Sequence, residues 1–249
     1  MGVHFDRLES WTLPHFGLFW NRIREEFPKA EVRPPIAAKE WMSFEYGTTD
    51  PPGELRIPVR YWFISHDNMR LIQVQNNLFL HNWRRGGKSE SSSHYEDLRP
   101  IFEKEWLRFS DFVKQEKIGT PRVSLCEVTY INHLERGVGW QTMADLPDVL
   151  PCWSGKTAEG YLPSPNAVAI RAFYRMKEPD GSLEIALQSA VRQPDAKEII
   201  QLTLTGRCRP ASSDEKDLIS GLNAAREWVV RGFTDFTSPK IHNIWGRTL

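Results

Sequence analysis

The chain is poor in cysteine and carries no excess of charge of either sign. Its 249 residues include three cysteines, Cys126, Cys152 and Cys208. They are odd in number and far apart, which argues against a disulfide framework and a structural zinc site and fits a reducing compartment. Lysine plus arginine and aspartate plus glutamate both number 32, so no global field draws the chain to nucleic acid or to an anionic membrane. No apolar run approaches the roughly 20 residues of a membrane span, and the N-terminus does not read as a signal peptide. A cytoplasmic protein without membrane contact is expected.

The usual marks of catalysis are also missing. The seven histidines show neither H-x-H nor H-E-x-x-H spacing, and Gly86-Gly87 lacks the strand-to-helix context of a phosphate cradle. Cys126 and His133 fall on one alternating strand, on opposite faces and roughly 23 Å apart, too far for a dyad. Cys152 lies in a loop and reads as an inert thiol. Glu127 shares a face with Val123, Leu125 and Ile131, where burial would raise its pKa and edge exposure would not. No catalytic residue, metal or cofactor is expected, and the chain reads as a non-enzyme.

Apolar material is plentiful: 40% of residues are hydrophobic and ten are tryptophan, enough to fill a substantial core. The organising stretch runs from Arg70 to Asn132. Asn76-Asn77 separates two alternating runs, and because asparagine tolerates positive φ, a two-residue hairpin turn is expected there. Gln75 then opposes Leu78. Val74 faces Phe79 and Ile72 faces His81 on an apolar side, with His81 hydrogen-bonded in the core. Gln73 faces Leu80 and Leu71 faces Asn82 on an amide-rich, solvated side. Arg84 to Ser93 reads as a mobile loop. Ser93 with Glu96 fits a capping box, and Leu98, Ile101, Phe102, Trp106, Phe109, Phe112 and Val113 form one helical stripe, its first turn loosened by Pro100. At about 1.5–3 kcal/mol per buried large side chain, that stripe contributes on the order of 10–20 kcal/mol before chain entropy is subtracted.

Elsewhere, Gly2 to Ser10 holds a short edge strand with Val3 and Phe5. Thr12 caps a helix bearing Phe16, Phe19, Trp20, Ile23 and Phe27, stopped by Pro28. Val32 to Leu55 is dense in turn signals, with a short strand around Trp41, Met42, Phe44 and Tyr46. Arg60–Ser65 and Val123–His133 read as strands. Ala167–Glu178, Ser182–Gln193 and Glu198–Arg209 read as an antiparallel meander, followed by a helix opened by Ser212 and Glu215 and carrying Leu218, Leu222, Ala225, Val229 and Phe233. The fold class is α+β: two packed halves, each an antiparallel sheet with a long helix across one face, a pattern open to duplication. Residues 1–136 form the first half, 137–164 a connecting segment, and 165–249 a β-meander plus helix.

Several of these residues carry a likeness to known sequences. Leu71-Ile72-Gln73-Val74-Gln75, Asn82-Trp83-Arg84, Tyr95 with Leu98 and Phe102, and Tyr130-Ile131-Asn132 together resemble a sporadically distributed, uncharacterised bacterial protein family of about this length. A fainter echo is Phe233 with Trp245-Gly246-Arg247. The likeness spans most of the chain from Leu18 onward; Gly2 to His15 departs from it. No catalytic residues come with the resemblance. It implies a bacterial, cytoplasmic setting, and an accessory role in antiviral defence or stress is the expectation attached to it.

Gln73, Gln75, Asn82, Tyr130 and Asn132 could line a recognition surface, or could pair with one another and with backbone. Trp83, Arg84 and Arg85 could stack on and neutralise a phosphate-bearing partner. These eight residues are the candidate binding set. The function expected is a non-catalytic binding or adaptor protein recognising a protein partner. The alternatives are a small-ligand pocket between sheet and helix, and a nucleic-acid accessory using Trp83 to Arg85, the last disfavoured by zero net charge.

Overall fold

The computed structural model describes residues 1–36, 59–84, 94–193 and 195–244. Nine strands are present among them: β1 (Gly2–Phe5), β2 (Lys29–Arg33), β3 (Arg60–Ile64), β4 (Arg70–Gln75), β5 (Leu78–Trp83), β6 (Val123–Glu135), β7 (Ala169–Met176), β8 (Gly181–Arg192) and β9 (Lys197–Cys208). Five α-helices accompany them: α1 (Leu13–Ile23), α2 (Tyr95–Gln115), α3 (Leu146–Val149), α4 (Glu215–Phe236) and α5 (Pro239–Ile244). The class is α+β, and the hydrogen-bonded strand order is β2-β3-β4-β5-β1-β6-β9-β8-β7. The chain divides into two compact units, Met1–Glu127 with Arg209–Ser220, and Val128–Cys208 with Gly221–Leu249.

In the first unit β4 and β5 pair in the register that the sequence implies, from Gln75 opposite Leu78 to Leu71 opposite Asn82. The turn works differently from expectation. Positive φ values among the described non-glycine residues fall on Asn68, Lys117 and Ala196, not on the turn asparagines. What holds the turn is its neighbours: Phe5 N donates to Asn77 O at 3.1 Å and Leu8 N to Asn76 O at 2.9 Å. Those bonds come from the N-terminal segment, which is not at a sheet edge. β1 lies between β5 and β6, opposing Phe79 and Cys126 at Val3. A Cβ on Gly2 would stand 2.0 Å from Leu80 Cδ2 and 3.1 Å from Phe79 O, so a larger residue there requires the Leu80 side chain to shift.

The apolar side of these strands is closed by aromatic rings. Phe79 lies 5.8 Å from Trp106 and 5.1 Å from Phe109, and Phe5 lies 5.8 Å from both. Phe16, Phe19 and Phe109 are essentially inaccessible. The space that a small-ligand pocket between sheet and helix requires is therefore filled, with Phe102, Trp106 and Phe109 all buried. Three local expectations change. α1 ends at Ile23, so Phe27 packs from the following turn rather than from the helix. α2 is capped by His94, whose N–H donates to Asp97 Oδ2 at 3.2 Å; Ser93 lies outside the described residues, as do Trp41, Met42, Phe44 and Tyr46. Val32 and Arg33, at the start of the stretch read as turn-rich, belong to β2, which pairs with β3.

The second unit holds the meander, with β7 paired to β8 and β8 to β9 in continuous antiparallel register. Its core joins Leu183, Ile185 and Leu187 of β8, Ile200, Leu202 and Leu204 of β9, and Val229 and Phe236 of α4. The stretch expected to connect two halves is part of this core: Trp140, Met143, Leu146, Val149 and Leu150 are buried in it. Trp140 Nε1 donates to Leu134 O at 3.1 Å, which satisfies the indole inside the core.

Candidate functional site

Cross-strand partners share a face, so the registers of β2 to β5 define one surface of the first unit. Arg33 opposes Arg60 and Glu31 opposes Trp62, Trp62 opposes Gln73, and Gln73 opposes Leu80 while Leu71 opposes Asn82. This is the side turned away from Phe63, Ile72, Val74, Phe79 and His81. Gln73 and Gln75 are buried on it, each 6% exposed. That corrects the expectation of a solvated amide face.

Gln73 is the hub. Its Oε1 accepts from Arg60 Nη1 at 2.7 Å and from Trp62 Nε1 at 2.9 Å, and its Nε2 donates to Asn82 Oδ1 at 2.6 Å. Gln75 is occupied separately: its amide exchanges hydrogen bonds with Ile36 N and O at 2.9 and 3.1 Å, as a strand neighbour would, and donates to Asn77 Oδ1 at 2.9 Å. The amides are therefore satisfied within the protein. They hold other groups in place.

Those groups are Arg60, Trp62 and Arg33. The guanidinium carbons of Arg33 and Arg60 stand 4.5 and 5.5 Å from the Trp62 ring centroid. Arg33 is ion-paired to Glu31. Arg60 has no acidic partner among the described residues, and its Nε is buried without a hydrogen bond. Burial, and then the neighbouring Arg33 charge, lower the Arg60 pKa. Like charges directly opposite on adjacent strands are unfavourable, and here they are tolerated because the Gln73 oxygen and the indole face share the load.

The remaining candidates do not join this cluster. Trp83 has the parity of His81 and Phe79, on the helix side of the ribbon. Arg84 donates from Nε to Asn68 O at 2.5 Å and from its backbone to Met69 O at 3.0 Å, tying down the β3–β4 turn. Arg85 lies outside the described residues. Tyr130 and Asn132 belong to the second unit, where with Leu204, Val229, Val230 and Phe233 they line a cleft of about 180 Å³, below the roughly 300 Å³ at which small-molecule pockets begin.

His81 departs from expectation in another way. Its Nε2 is buried without a partner among the described residues, and burial, reinforced by the Met1 ammonium and Arg70, lowers its pKa to about 3. It is a neutral imidazole packed against Phe27.

Two hydroxyl–imidazole contacts among the described residues serve structural roles. Thr237 Oγ1 lies 2.7 Å from His242 Nε2, yet its proton is directed to Phe233 O at 2.5 Å. Thr12 and His15 form the N-terminal cap of α1, with Thr12 N donating to His15 Nδ1 at 2.8 Å. Cys126 and Cys208 are buried and Cys152 is exposed. Among the described residues, no group of three or more His, Cys, Asp or Glu side chains is arranged to hold a metal ion, and no helix is long and apolar enough to cross a membrane.

No family model, curated protein or solved structure matches the chain. Arg33, Arg60 and Trp62 were not in the set picked from sequence, although the Arg60-x-Trp62 alternation, next to the Gln73-x-Gln75 alternation, was the available signal. Chemically, the arrangement offers fixed donors and a charged aromatic surface, which suits recognition of an anion.

Proposed function

We propose that the protein is a non-catalytic binding or adaptor protein that recognises a protein partner through the β2–β5 face of its first unit. The observation that supports this most is Arg60, a half-buried guanidinium positioned by Gln73 and without an acidic partner among the described residues. A charge held at this cost in fold stability, beside a second arginine, is what a recognition surface needs and a purely structural sheet does not. A cytoplasmic location belongs to the same proposal and is supported by three cysteines that form no disulfide. So does the pairing of antiparallel strands with one long helix in each half, read as a duplication.

The test is affinity capture with the full chain as bait, read by mass spectrometry of proteins and small molecules. A stoichiometric protein partner recovered by the wild type and lost by Trp62→Ala is the expected result. A chain that elutes alone under all conditions, or a partner retained equally by Trp62→Ala, overturns it.

A further inference from the structure

Resting on that binding proposal, we infer that Arg33 and Arg60 together form a receptor for one carboxylate, an aspartate or glutamate side chain of the partner protein. Three features of the face lead to it.

The first is charge balance. Arg33, Arg60 and Glu31 sum to one net positive charge, and Glu31 already engages Arg33. A monoanion neutralises the cluster, whereas a phosphate near a charge of −2 overshoots against Glu31. The second is geometry. Arg60 spends Nη1 on Gln73 and buries Nε, which leaves Nη2 as the charged donor for a single carboxylate oxygen. Because Arg33 stands directly across from it, one acid oxygen can bridge both cations and relieve their repulsion. The third concerns the indole. Trp62 is already faced by guanidinium groups at 4.5 and 5.5 Å, which removes the open stacking surface that a nucleobase requires. The lowered Arg60 pKa has the sign expected of a cation awaiting an anion.

The experiment is fluorescence anisotropy on the full chain with a fluorescein-labelled, C-terminally amidated dodecapeptide of glutamate, alanine and serine. Controls are the same peptide with glutamine in place of glutamate, and a neutral peptide ending in a free carboxylate. Glutarate and inorganic phosphate serve as competitors. The glutamate peptide is expected to bind, with glutarate displacing it better than phosphate. Arg60→Gln and Arg33→Gln should each weaken binding about tenfold or more while the far-ultraviolet circular dichroism of the folded chain is kept. Gln73→Glu keeps both arginines but hands Arg60 an acid from its own chain, and should weaken binding in the same way.

Equal binding of the glutamine peptide, unchanged binding by Arg60→Gln, stronger competition by phosphate, or preference for the free terminus each overturns the inference. If a partner captured by the wild type is equally captured by both arginine variants, the carboxylate receptor falls and the adaptor proposal stands. If the glutamate peptide binds but no partner is ever captured, the reverse holds.

Discussion

Gln73 Oε1 receives Arg60 Nη1 at 2.7 Å while also receiving the Trp62 indole N–H at 2.9 Å, so one buried amide oxygen fixes both groups at the recognition face. Removing it should be costly. Gln73→Leu leaves a guanidinium, an indole N–H and the Asn82 oxygen without their partner. A loss of about 2–3 kcal/mol is expected from unmade bonds of this kind, read by urea denaturation. A change under about 0.5 kcal/mol would mean that the hub does not hold the face together.

Two glycines should respond to alanine in opposite directions. A Cβ at Gly206 meets Ala225 O at 2.4 Å, main chain of α4 that cannot swing aside, whereas one at Gly17 in α1 meets nothing within 4 Å. Gly206→Ala is expected to destabilise by about 2 kcal/mol or more, and Gly17→Ala to stabilise by roughly 0.5–1 kcal/mol. Thermal melts of the two variants decide it; equal shifts would contradict the close β9–α4 approach.

The buried His81 sets an acid limit on stability. Its pKa is lowered from 6.5 to about 3, so the folded state binds a proton less readily than the unfolded chain. This contribution is fully present above about pH 6.5 and is lost as pH falls toward 3. By pH 5 the loss is about 2 kcal/mol. Glu105 acts with the opposite sign, because burial raises its carboxyl pKa and its penalty appears as pH rises through that raised value. Denaturation midpoints at pH 7.5 and 5 in wild type and His81→Leu are the measurement. The difference between the two pH values should shrink by about 2 kcal/mol in the variant, and an unchanged difference would remove His81 as its source.

Thiol accessibility gives a count. Cys126 and Cys208 are buried and Cys152 is exposed, and burial raises the Cys208 thiol to about 12. A thiol-reactive chromophore should label one cysteine rapidly in the native protein and all three of the chain in denaturant. Rapid labelling of a second site under native conditions would show that the β6 or β9 packing is looser than described.

The β4–β5 hairpin was legible because alternation and a two-residue gap specify register locally, down to Ile72 opposite His81. The meander was legible for the same reason. β1 was misjudged as an edge strand: four residues of sequence carry no record of which strands will flank them, and insertion between β5 and β6 is a long-range event. The segment after β6 looked like a linker because Trp140, Leu146 and Leu150 lack a period. They nonetheless fill the second core, since irregular backbone buries side chains without regular spacing. Of the candidate site, Gln73 and Asn82 were rightly placed on one face of the ribbon. The burial of Gln73, and its service to Arg60 and Trp62, came from strands that local patterning does not align.

Sequence alone determined the periodic parts of this protein: which residues alternate, the main apolar stripe of the long helices, and that no excess charge directs it to a polyanion. Tertiary structure decided what the amides do. Hydrogen-bond saturation depends on which donors three-dimensional pairing brings within about 3 Å, and only the registers of β2, β3 and β4 set Arg33, Arg60 and Trp62 around Gln73.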